Sequence, residues 1–287
     1  MKKIYKILLL VITFIIVIFG IFHLIQTNHT TSNLKLTTSS NNICKNNKKY
    51  WLITYTNLKD LSNINSTLIN NIFNSPNTYI MESPNKYTKY NFGNPVAVFQ
   101  SYINFKNDIL NHKLNPKFKW VLYDNEKWVK TPLNEQQNPI LYESLFSSLA
   151  HKYGYHVILT PSQDLYIQSK NNINGSEYLS SGIIQASYKN ANIYEIQSQS
   201  FEQSRYRQND VFLQFIKNTL KHIGNHSKPI IAGISTSRVQ NSQQLYQDFT
   251  NTKGIVSGFW LNIPKSTPSE LKIAIQFLTL IQNNCKN

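Results

Sequence analysis

From residue 119 to the C-terminus short apolar runs alternate with segments whose apolar residues fall at helical spacing. The apolar runs fall at 119–124, 155–161, 192–197, 229–235 and 254–263, and the helical patterns at 141–153, 211–223, 242–250 and 270–282. The starts of the runs lie roughly 35 residues apart, the length of a strand–helix–strand unit. Most runs are apolar on both faces, as strands are when helices cover their sheet. Strands so widely spaced need crossover connections and therefore run parallel. Earlier in the chain, 49–55 reads as a strand, 58–73 as a helix, 78–81 and 96–100 as short strands, and 102–110 as a helix. Seven or eight strands over about 240 residues predict a TIM-like (β/α)8 barrel, irregular in its first third. An open doubly wound sheet is the alternative. The absence of a Gly-rich dinucleotide fingerprint and of a phosphate loop argues against a nucleotide-binding sheet, and no cofactor is expected.

The N-terminus reads separately from this domain. Residues 1–6 carry Lys2, Lys3 and Lys6, and 7–26 are almost wholly apolar. That length is close to the ~20 residues of a membrane helix, and the basic flank predicts a cytoplasmic N-terminus with the rest outside. The reading is an uncleaved single-pass anchor, with a cleaved signal peptide and secretion as the alternative. Residues 27–48 are rich in Asn, Thr, Ser and Lys and read as a polar linker. Residues 49–287 form the barrel domain. The chain has two cysteines, Cys44 and Cys285, one near each end of that domain. In an exported protein such a pair predicts a disulfide, which fits a barrel whose first and last elements lie side by side.

The formal charge is +15, from 29 Lys and Arg against 14 Asp and Glu. Such a balance attracts anionic surfaces. The lysines nevertheless form no dense block interleaved with aromatics, so nucleic acid is not the expected partner. No His, Cys or Asp spacing suits a metal.

The densest chemistry lies at residues 120–128, where an apolar run ends in Asp124 and Glu126 among Trp120, Tyr123 and Trp128. Strand side chains alternate with period two, so two carboxylates two residues apart at a strand end point the same way. Parallel barrels keep their chemistry at this end. The other strand ends add Glu195, Gln197, Trp260 and Asn262. Carboxylates, amides and aromatic rings together suit carbohydrate or a cell-envelope polymer. Glycoside cleavage needs a general acid and a second group for the cationic transition state. Glu126 is the candidate acid and Asp124 its partner, with Tyr123, Trp128, Glu195, Gln197, Trp260 and Asn262 as candidate substrate contacts. The other reading gives Asp124 and Glu126 loop-fixing and surface roles.

Residues 120–126 resemble the catalytic strand of family 18 glycoside hydrolases, the chitinases, whose motif is D-x-x-D-x-D-x-E. Aligned on the final Glu, this chain has Lys119, Leu122, Asp124 and Glu126, so the last two of four acidic positions match. Trp260 is similar to the Trp that floors that family's sugar site. The family's Met-x-Tyr-Asp strand has no clear counterpart; 193–197 is the nearest piece. Residues 121–137 and 255–264 look like a group of uncharacterised secreted bacterial barrel proteins. The resemblance implies a glycoside-hydrolase-like barrel, either acting on a polysaccharide or binding glycan or an envelope partner without catalysis.

Overall fold

The computed structural model describes residues 49–166, 175–203 and 210–284. The expected membrane segment at 7–26, the linker at 27–48, and both Cys44 and Cys285 lie outside the described residues. Among the described residues no helix is long and apolar enough to cross a membrane.

Eight strands form a closed, all-parallel barrel in sequence order. The first half runs β1 (Tyr50–Thr54), α1 (Tyr55–Phe73), β2 (Thr78–Glu82), β3 (Asn94–Phe99), α2 (Tyr102–Leu110) and β4 (Trp120–Tyr123). Next come α3 (Leu133–Gln137), α4 (Pro139–Lys152), β5 (His156–Leu159), α5 (Ser176–Ser180), α6 (Ile183–Asn190) and β6 (Ile193–Ile196). The last are α7 (Val211–Ile223), β7 (Ile230–Ser235), α8 (Ser242–Thr252), β8 (Gly258–Asn262) and α9 (Pro268–Asn284). The fold is therefore the expected TIM-like barrel rather than an open sheet.

The irregularity of the first third has a local cause. The connection from β2 to β3 contains no helix, only the loop at 83–93. In α1, Asn65 leaves helical geometry at φ −152°, ψ 83°, and its side chain accepts the Leu68 N–H at 3.0 Å. An N-cap therefore restarts the helix after a kink.

Period two sorts every strand into two faces. Leu52, Met81, Leu122, Ile158, Ile193 and Ile231 fill the barrel, while Trp51, Val121, Tyr194 and Phe259 meet the helices outside. The larger core lies between barrel and helices, where burying each aromatic ring contributes about 2–3 kcal/mol. Closure places Tyr50 opposite Gly258 and Leu52 opposite Trp260. A Cβ on Gly258 would fall 2.0 Å from the Tyr50 carbonyl oxygen, so this seam admits glycine alone.

Candidate active site

The site lies at the C-terminal mouth of the barrel, where the inward rows of β4, β5, β6 and β8 end. On β4 the alternation that turns Leu122 inward continues to Asp124, whose N–H still donates to Phe99 O at 2.8 Å. Strand pairing thus holds Asp124 in register one residue beyond β4. Its side chain is buried, and Thr160 Oγ1 donates to its Oδ1 at 3.2 Å.

Gln197, just beyond β6, joins the two carboxylates. Its Nε2 donates to Asp124 Oδ1 at 3.3 Å, to Glu126 Oε1 at 3.2 Å and to Thr160 O at 2.9 Å. One amide nitrogen therefore brings an oxygen of each acid to a common point. Glu126 is half-buried at the rim, above the more deeply set Asp124.

This crowding favours the protonated acids. Burial first, then the Glu126 charge, pushes Asp124 up to about 8, against the Thr160 hydrogen bond and Lys130. Burial and the charge of Asp164 raise Glu126, opposed by Gln197 and Lys130. Desolvation and like charge both disfavour the ionised form of each acid, and Asp124, the more deeply buried, is held protonated at neutral pH. Glu195 lies deeper still, fully buried, and neither carboxyl oxygen makes a hydrogen bond to the described protein. Burial, then the charges of Asp124 and Glu126, raise it well above the usual carboxylate range. Glu195 is thus electrostatically part of the group but closed off from anything entering the mouth.

A cleft of about 430 Å3 opens beside Asp124, with Glu126 outside its lining. Asp124 lines one part of it and Trp260 another, with Thr54 and Tyr55, Met81 and Glu82, and Val98 and Gln100 also on its walls. Trp260 is 8% exposed, in the middle of β8 on its inward face.

Two other expected contacts sit elsewhere. Tyr123, expected at the mouth, is turned outward by the same period that turns Asp124 inward. It is fully buried, stacks on Phe146 at 4.8 Å, and its hydroxyl donates to Glu135 Oε2 at 2.7 Å. Trp128 is half-buried in the loop after β4, where its Nε1 donates to Thr131 Oγ1 at 2.9 Å and Lys130 Nζ lies 4.8 Å from its ring centroid. It braces the loop and does not line the cleft. Asn262 ends β8, where its carbonyl accepts the Thr236 N–H at 3.1 Å.

Residues singled out by no sequence pattern hold the loop carrying Glu126. Glu135, at 1% exposure, accepts Ser101 Oγ at 3.0 Å, Tyr102 N–H at 2.7 Å and Ile103 N–H at 3.2 Å besides the Tyr123 hydroxyl. It therefore caps α2 and ties the start of α3 to the barrel wall. Thr131 Oγ1 donates to Gln100 O at 2.9 Å, and Asp164 Oδ1 accepts the Lys127 N–H at 3.0 Å. Thr160 and Glu82 were also missed, although each lies at the end of a strand, the position that singled out Asp124.

Among the described residues no group of His, Cys, Asp and Glu is arranged to hold a metal ion. No protein-family model and no curated protein matches the chain.

Proposed function

We propose that this protein is a glycoside-hydrolase-like enzyme acting on a polysaccharide outside the cytoplasmic membrane. The observation that carries the reading is the Asp124–Gln197–Glu126 arrangement, two carboxyls both raised above the usual carboxylate range, with Asp124 lining an open cleft that Trp260 also lines. Glu126, the more accessible of the two, is the general acid and delivers its proton to the glycosidic oxygen. Asp124 beneath it shares the Gln197 amide and orients the sugar. Trp260 supplies an apolar wall for a ring face.

The basic, apolar N-terminus supports export with retention by a membrane anchor, and Cys44 paired with Cys285 fits that compartment. A second reading is a barrel that binds glycan without cleaving it. It draws support from the burial of Glu195, which leaves Asp124 and Glu126 as the acids in contact with one another through Gln197.

The test is Glu126→Gln in the full-length chain, assayed against a polysaccharide panel for both hydrolysis and binding. The swap keeps shape and removes the transferable proton. Hydrolysis should fall by at least about 100-fold while binding persists. Hydrolysis by the native chain that survives the substitution overturns the assignment of Glu126, and binding with no hydrolysis by the native chain favours the non-catalytic reading.

A further inference from the structure

The outer face of α3 and α4 carries apolar side chains that the barrel does not bury. Single exposed apolar residues are ordinary, but these are gathered in one short stretch. Of the nine large apolar side chains exposed among the described residues, five lie between 129 and 145: Val129, Leu133, Ile140, Leu141 and Leu145. Val129, in the loop after β4, is 98% exposed. Leu141 and Leu145 are four positions apart and share one face of α4. Asn134 Nδ2 donates to the Tyr142 hydroxyl at 2.6 Å and holds α3 to the start of α4. Leu133 and Pro139 line one cleft of about 400 Å3, whose lining includes Lys127 and Tyr166. The exposed charge along this stretch has one sign. From 127 to 163 the acids are Glu135 and Glu143, both buried, whereas Lys127, Lys130 and Lys152 are exposed. Asp164, the next acid along, is half-buried and accepts the Lys127 N–H at 3.0 Å.

We propose that the α3–α4 face docks on an anionic lipid bilayer, with its aliphatic side chains in the acyl boundary and Lys127 and Lys130 against lipid phosphates. Interfacial binding grows with the apolar area buried and with attraction of cations to anionic head groups, and an exposed acid would oppose it. This face combines aliphatic side chains with lysines and has no exposed acid from 127 to 163. A second copy of the chain fits less well, since an isologous pair over this face sets the same lysines against one another. The docking rests on the anchor reading in one respect, the supply of a bilayer by the apolar run at 7–26. The linker at 27–48 spans at most about 80 Å, so an anchored domain stays within reach of the lipid at high local concentration. Val129 and Lys130 share the loop that carries Glu126, so docking seats that side of the mouth beside the bilayer.

The full-length chain is reconstituted with vesicles of phosphatidylcholine alone or of phosphatidylcholine and phosphatidylglycerol in equal parts, all brominated in the acyl chains. Sedimentation with the vesicles reports the anchor, and quenching of tryptophan by bromine reports the docking. Val129→Trp adds a ring at a position open to solvent. Its added emission should fall about twofold or more in the phosphatidylglycerol vesicles and little in phosphatidylcholine alone, since a docked face sits ~5–10 Å deep. In that background Leu141→Glu with Leu145→Glu keeps good helix formers on α4 and should abolish the quenching. Lys127→Gln with Lys130→Gln should bring it down to the phosphatidylcholine level. A chain that sediments with both vesicles while the added ring is not quenched overturns the docking and leaves the anchor standing. Quenching and sedimentation confined to the phosphatidylglycerol vesicles support the docking and overturn the anchor, and sedimentation with neither overturns both. An unquenched chain that dimerises in detergent, and is split by the glutamate pair, assigns the face to a second copy instead. If the glutamate pair does not fold, undiminished quenching in the lysine pair alone overturns the docking.

Discussion

Asp124→Asn should flatten the stability of the protein toward alkaline pH. Folding raises the Asp124 carboxyl from 3.8 to about 8, chiefly through burial and the neighbouring Glu126. The folded chain therefore binds this proton more tightly than the unfolded one. The stability it contributes is full below pH 4 and is lost progressively as pH rises toward 8. At ~1.4 kcal/mol per pH unit the whole difference would be about 6 kcal/mol. Asp124 borders an open cleft, and water entering on ionisation relieves part of that cost, so a loss of about 2–4 kcal/mol between pH 5 and pH 9 is expected. Asparagine keeps an oxygen for Thr160 Oγ1 and Gln197 Nε2 but has no proton to lose. The measurement is urea denaturation of native and Asp124→Asn chains at pH 5, 7 and 9. The gap between them should widen in favour of the variant as pH rises. Parallel curves across that range would refute the assignment of a proton-retaining Asp124.

Three other substitutions test the frame around the site. Glu135→Ala strands two buried hydroxyls and two backbone N–H groups and should cost about 3–5 kcal/mol in urea denaturation, with Glu135→Gln between it and native. Gly258→Ala drives a methyl into the Tyr50 carbonyl and should lower the thermal midpoint by about 10 °C or prevent folding. Gly233→Ala first meets the Gln199 side chain, which can move, so it should cost less than Gly258→Ala in the same scan.

The barrel was legible because parallel strands covered by helices must be apolar on both faces, and from residue 119 onward they are. The first third was harder to read, since the loop at 83–93 stands where the repeat calls for a helix and Asn65 breaks the helix before it. Asp124 and Glu126 were legible from their place after an apolar run. Tyr123 was misread although the same period two that sends Asp124 in sends Tyr123 out, because an aromatic ring beside a carboxylate suggests a sugar platform before it suggests a core. Glu135 left no signal. Its partners Ser101, Tyr102 and Ile103 lie more than 30 positions away in sequence, and only the folded chain brings them to it. Glu82 was hidden by a strand read as ending at residue 81, one position short.

The seam between β1 and β8 also dictates how the domain comes to exist. The hydrogen-bonding edge of β1 has to wait for a partner roughly 200 residues further along. Until then seven strands form an open, apolar sheet with two edges able to pair with other chains. At ~5–20 residues per second that partner is on the order of 10–40 s away during synthesis. A chain cut short before Gly258 would be left in that state, an aggregation-prone sheet rather than a smaller working barrel.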